Sequence, residues 1–194
     1  AHHLAPNGLA GFVMPNGALA VSGKEGDLRK KLIEEDLVEV IISCPSKLFY
    51  NVSLPVSLWF LAKNKKGDRF RNRSGETLFI DARDTFEQIS RKQVVFNPEH
   101  IEKISNTVRA WRGEKDAGKY EDVSGFCKSA TLEEIKKNGY VLTPGRYVGL
   151  ADVEDDGISF EEKMQKLSSE LREAFIVGRK LEQEIEKNLK ELGF

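Results

Sequence analysis

An α/β fold is predicted for this chain, in the form of part of a larger sheet. Three observations carry the prediction. Leu37–Ser43 and Val56–Ala62 are nearly unbroken apolar runs, the pattern of strands covered on both faces. An amphipathic segment precedes the first of them, giving the alternation of helix and strand that builds such sheets. A strand signal at Leu9–Met14 opens almost at the first residue, so the domain reads as a second half.

The elements follow in order. Leu9–Met14 is a short, buried-type strand, ended by the turn Pro15-Asn16-Gly17. Gly26-Asp27 opens a helix over Leu28–Glu35 with Leu28, Leu32 and Ile33 on one face. Pro45 stops the Leu37 strand, and Pro55 starts the Val56 strand. Thr77–Asp81 is a further strand beyond a polar loop, Lys63–Gly75. From Asn97 the apolar period becomes three and four, through Ile101, Ile104, Val108 and Trp111, which predicts a helix over Pro98–Arg112. Tyr120–Lys128 reads as extended. Thr131 and Glu134 have capping-box spacing, in which the hydroxyl caps a backbone amide and the carboxylate reaches back, so a short helix spans Leu132–Lys137. Tyr140–Val148 is extended chain broken at Thr143-Pro144-Gly145. Asp152–Gly157 is an acidic linker, and Ser159–Glu162 repeats the capping signal before a long helix. Three regions result: an α/β part at 1–90, a helical and extended connector at 91–150, and a linker with a coiled-coil-like helix at 151–194.

Composition narrows the class. The chain has 194 residues, 40% apolar and 31% charged, enough for one sizeable core and an appendage. The longest apolar run, Val56–Ala62, falls far short of the roughly 20 residues that span a bilayer. No membrane association is expected. The start lacks a basic patch followed by an apolar stretch, and Cys44 and Cys127 lack metal spacing, so both are expected as reduced thiols in a cytoplasmic protein. The three histidines are not spaced as a ligand set, and no catalytic or metal-binding residues are expected.

Two segments invite a binding role. The loop Lys63–Arg73 carries six cations and one anion, and Lys65, Lys66, Arg69, Arg71 and Arg73 could neutralise DNA phosphates. A merely solvated loop is the alternative. In the long helix Met164, Leu167, Leu171, Leu181 and Ile185 belong to a heptad seam that also includes Gly178 and Asn188. A seam longer than the domain should meet a partner helix; the alternative is folding back on Pro98–Arg112.

The motifs Leu4-Ala5-Pro6-Asn7-Gly8, Val13-Met14-Pro15-Asn16-Gly17, Leu48-Phe49-Tyr50-Asn51 before Leu54-Pro55, Leu78-Phe79-Ile80-Asp81-Ala82-Arg83 and Tyr140–Tyr147 occur in one order. Together they resemble the modification subunit of type I restriction-modification systems, an adenine-specific DNA methyltransferase, in its carboxy-terminal portion. The resemblance implies the second half of a Rossmann-like methyltransferase sheet, then a helical region and a long C-terminal helix. The Leu9, Leu37 and Val56 strands would be its last three, with the Val56 strand antiparallel between the others. It also implies S-adenosylmethionine as methyl donor in the parent protein, and DNA, a specificity subunit and a restriction subunit as partners. Phe49, Tyr50 and Asn51 would hold the target base, with Phe49 the stacking ring; two rings plugging the sheet edge is the other reading. The family's glycine-rich donor turn and Asn-Pro-Pro-aromatic tetrapeptide do not occur: the one Asn-Pro, at Asn97-Pro98, is followed by Glu99. This chain alone is therefore expected neither to bind the donor nor to methylate DNA. An open edge on the Leu9 strand would invite artefactual self-association. A non-enzymatic assembly module, docking a partner through its C-terminal helix, is the competing function.

Overall fold

The first unit is built around β2 (Val38–Ser43), buried along its whole length as a two-sided apolar strand must be. In this computed structural model residues 2–67, 70–150 and 160–191 are described, without the side chains of residues 160 and 163. The chain divides into two units, Ala1–Asp152 and Val153–Phe194.

Five strands form one sheet in the order β1 (Leu9–Pro15), β3 (Val56–Ala62), β2, β4 (Glu76–Asp81), β7 (Cys127–Thr131). β3 runs antiparallel to both β1 and β2, as expected for the Val56 strand. These three do not end the sheet. β4 lies parallel to β2, and β7 antiparallel to β4. β5 (Glu87–Ser90) and β6 (Gln93–Val95), which the sequence pattern does not suggest, make a separate hairpin.

Each face of the sheet carries a core. Val38, Ile41, Trp59, Leu61 and Phe79 pack on one side with Ile33 of α1 (Lys24–Glu34), Ile135 of α3 (Leu132–Lys137) and Tyr147. Val40, Ile42, Leu78 and Ile80 pack on the other with Trp111 of α2 (Pro98–Arg112). Residues 91–150 thus close both faces of the sheet and belong to the same unit as residues 9–81.

The capping box expected at Thr131 forms, and a second, not anticipated from the sequence, forms at Asn97. Thr131 and Glu134 close the box at α3, and the Thr131 backbone amide, then Lys128, hold the Glu134 carboxyl below its ordinary value. At α2 the Asn97 side chain accepts from the His100 amide at 2.9 Å and His100 Nδ1 accepts from the Asn97 amide at 3.4 Å, so His100 is a capping residue. α1 departs from expectation. Leu28 is 65% exposed, and Arg29 turns inward, donating to the carbonyls of Tyr140, Ala18 and Val21. Tyr140–Val148 is broken by a 3-10 turn at Pro144–Arg146, where the sequence predicts a break.

β1 is not buried. It has one neighbour, and Leu9, Phe12, Val13 and Met14 stand 42%, 38%, 49% and 36% exposed, because the far side of the strand is an open edge. Beside it an apolar groove of about 580 Å³ runs between Phe12, Met14 and Trp59 of the sheet and Val21, Leu28 and Leu32.

The second unit is α4 (Phe160–Glu191), 32 residues of helix, about 48 Å at 1.5 Å per residue. Met164, Leu167, Leu171, Leu181 and Ile185 are all exposed. The expected linker at Asp152–Gly157 and the cap at Ser159 lie outside the described residues. Among the described residues no helix is long and apolar enough to cross a membrane.

Candidate functional site

β1, β2 and β4 run in one direction and end together, at Pro15, Ser43 and Asp81, where β3 and β7 begin. The carboxyl edge of parallel strands is where open α/β sheets place ligands. Here the edge is tied by main-chain bonds: the Ala82 amide donates to Ser43, and the Cys44 amide to Val56, each at 2.9 Å. The loop between β2 and β3 leaves this edge.

Pro45 and Pro55 prevent either strand from continuing into the loop. Between them Phe49–Val52 makes a turn closed by the Val52 amide on the Phe49 carbonyl at 3.1 Å. Phe49 is 43% exposed, Tyr50 83%, and Asn51 is exposed as well. Tyr50 is thus almost fully in solvent, while Phe49 keeps more than half of its surface covered. Two aromatic faces and one amide are what an unstacked base needs: a surface to lie on and a hydrogen-bonding group.

Next to this loop is a cleft of about 530 Å³ lined by Cys44–Lys47, Pro55, Arg83, Asp84 and the hairpin residues Gln88 and Val94. Arg83 is held by Asp81 through three contacts of 2.6–3.1 Å, which raises its pKa, so it orders the end of β4. Cys44 is fully buried, and burial pushes its thiol up to about 11. At neutral pH it is a protonated thiol, so it gives the cleft no activated nucleophile. Among the described residues no three His, Cys, Asp or Glu side chains gather to hold a metal ion.

Two cations of the basic loop, Lys65 and Arg73, are turned inward. Lys65 is 3% exposed and donates to Asp36 at 2.6 Å and to the Glu76 carbonyl; burial lowers its pKa despite Asp36. Arg73, 1% exposed, donates to Glu39 at 3.1 Å. Arg71 donates to Glu76 at 2.6 Å and to the Trp111 carbonyl. These three cations hold the loop to the sheet and α2; Lys65 and Arg73 are buried and so not presented to phosphate as the sequence suggested, while Arg71 stays exposed with its charge paired to Glu76. The reason is local: Asp36, Glu39 and Glu76 lie beneath them. Lys66 is exposed, and Arg69 lies outside the described residues.

Sequence reasoning passed over Lys47, whose backbone sits in the left-handed region at φ 62°. Its carbonyl accepts from the Val94 amide at 3.1 Å, and its ammonium donates to the Arg91 carbonyl at 2.9 Å, so the hairpin is fastened to the loop that carries Phe49. A charged residue between two prolines was the only signal.

A mixed sheet covered on both faces, with its parallel strands ending at one carboxyl edge, defines an α/β protein of the open-sheet class. This chain belongs to the N-6 DNA methylase family, whose model matches residues 1–156. Within it the similarity is to type I methylase subunits. The chain is 51% identical over its whole length to the type I restriction enzyme MjaIX methylase subunit of Methanocaldococcus jannaschii, spanning 34% of that protein. It is 47% identical to the HindI methylase subunit of Haemophilus influenzae, again over 100% of this chain and 42% of the relative. Its fold matches the crystal structure of a type I restriction-modification methyltransferase subunit from Streptococcus thermophilus with a TM-score of 0.61, at 33% identity, covering 74% of this chain and 27% of that one. The chain thus spans well under half the length of the curated relatives it matches here.

Proposed function

We propose that this chain is the part of a type I modification subunit that holds the target adenine and meets the partner subunits. The whole cytoplasmic protein would transfer a methyl group from S-adenosylmethionine to the exocyclic amine of adenine in DNA. The observation that carries this reading is the exposure of Phe49, Tyr50 and Asn51 at the carboxyl edge.

S-adenosylmethionine supplies the methyl group, but the residues present do not fit it. With the glycine-rich donor turn and the Asn-Pro-Pro-aromatic tetrapeptide absent from its sequence, the chain alone neither binds the donor nor methylates. Titration calorimetry of residues 1–194 with S-adenosylmethionine is expected to give no binding heat; a complex of ordinary affinity would overturn this. The open β1 edge and its apolar groove are where the remaining sheet of a longer protein would pair, and where the isolated chain would pair with itself.

In the whole subunit, Phe49→Ala should lower methyl-transfer turnover by about five- to 150-fold, the equivalent of roughly 1–3 kcal/mol of lost stacking, with complex assembly intact. The exposed stripe Met164, Leu167, Leu171, Leu181 and Ile185 supports docking of the specificity subunit, with the restriction subunit joining that complex. It is also what favours the second reading, an assembly module without a base-holding role. Unchanged turnover in Phe49→Ala would establish that reading and end the first.

A further inference from the structure

We propose that the β5–β6 hairpin grips the DNA backbone, Arg91 and Lys92 at its turn each taking a phosphodiester beside the nucleotide held by Phe49–Asn51. The proposal rests on the base-holding reading above and assigns the phosphate contacts of that same site. Arg91 and Lys92 are exposed, and neither side chain makes an ion pair among the described residues. That separates them from Lys65, Arg71 and Arg73, whose charges are consumed by Asp36, Glu76 and Glu39. Free positive charge near the aromatic loop is therefore carried by the hairpin together with Lys47, whose ammonium meets a carbonyl.

Its position is fixed by Lys47, two residues before Phe49. The ammonium of Lys47 donates to the carbonyl of Arg91 itself, and the Lys47 carbonyl receives the Val94 amide. Two residues of chain reach at most about 7 Å, so the turn and the aromatic loop form one edge. An isolated two-stranded hairpin is marginal in water, and these two bonds, with Val94 buried at 5% exposure, are what seat it. Every residue of β5 is exposed, leaving one side of the ribbon open to a partner. Glu87, the acid on β5, lies at the end away from the turn, where Asn97 Nδ2 donates to it at 3.4 Å.

The chemistry requires such a grip. Swinging a nucleotide out of the duplex rotates it about its own backbone, so the flanking phosphates must be held while the base moves. Contacts of this kind fix register and carry no sequence preference.

The test is salt-dependent binding of a random-sequence DNA duplex to the assembled methylase complex, wild type against Arg91→Gln/Lys92→Gln. Two lost phosphate contacts should flatten the slope of log K against log salt by about 1.8, so that raising salt from about 50 to about 200 mM costs the variant about twelvefold less affinity than the wild type. Arg91→Lys, which keeps the charge, should keep the slope. An unaltered slope in the double variant, folded by its thermal melt, overturns the hairpin assignment while leaving the Phe49 reading standing. Failure of the wild-type complex to bind DNA overturns both.

Discussion

Glu39→Ala is expected to cost about 3–5 kcal/mol of folding stability, since removing one partner of a buried ion pair leaves the other charge uncompensated. Here two charges would be stranded. The Glu39 carboxylate is 0% exposed and accepts from Arg73 Nε at 3.1 Å and from Arg112 at 2.6 and 3.2 Å. The Phe70 ring lies 5.0 Å from both guanidinium groups, and Trp111 lies 5.9 Å from that of Arg73, so little water can replace the lost acid. Burial already lowers the Arg73 pKa, the direction expected of a cation held away from water. The strand itself aims this acid. Val38 pairs with Leu61 and Val40 with Phe60, so Glu39 is the extra residue of a β-bulge, a feature that redirects a side chain. Urea unfolding of the two proteins measures the cost. A loss below about 1 kcal/mol, the range of solvated surface pairs, would mean that the network is hydrated in solution.

Phe79→Ala is expected to cost a similar 3–5 kcal/mol, by the different route of an apolar cavity. Phe79 is fully buried in the middle of β4, on the sheet face opposite Trp111. Its ring lies 3.9 Å from that of Tyr147 and 5° from parallel. Tyr147 cannot follow into the space, because its hydroxyl donates to the Val141 carbonyl and burial has pushed that phenol up to about 12. The same unfolding series reads the result. Full retention of stability would show that the Tyr147 segment collapses onto β4 instead. Because the two sites lie on opposite faces of the sheet without shared partners, the double variant should lose close to the sum.

What the sequence disclosed and what it withheld divide along one physical line. Local signals were legible. Asn97-Pro98 and Gly113 bracket α2 at the residues where the helix starts and stops, and Thr131–Glu134 does the same for the start of α3. The unbroken runs at Leu37 and Val56 gave β2 and β3, and resemblance gave their antiparallel pairing. Pairings across long stretches of chain were not legible. The cations of Lys63–Arg73 disclose their sign but not their partners, and those lie 29 residues back for Lys65 and 34 for Arg73. Glu39 sat unremarked inside an apolar run. β7 was missed because Lys128 and Ser129 interrupt its apolar pattern, and an edge strand needs little apolar character. The hairpin lacked an Asn-Gly or Asp-Gly turn, and its only buried residue is Val94. At the site, the aromatic loop was identified from family resemblance, while the lysine that ties the hairpin to it was not.

Gly178 stands in the middle of α4, and a methyl group added there would meet nothing within 4 Å. A mid-helix glycine weakens the intrinsic order of the segment by about 1 kcal/mol relative to alanine. If a partner helix closes over the Met164–Ile185 stripe, as proposed above, it would have to make up that deficit on docking, and Gly178→Ala would strengthen the association without altering the recognised surface.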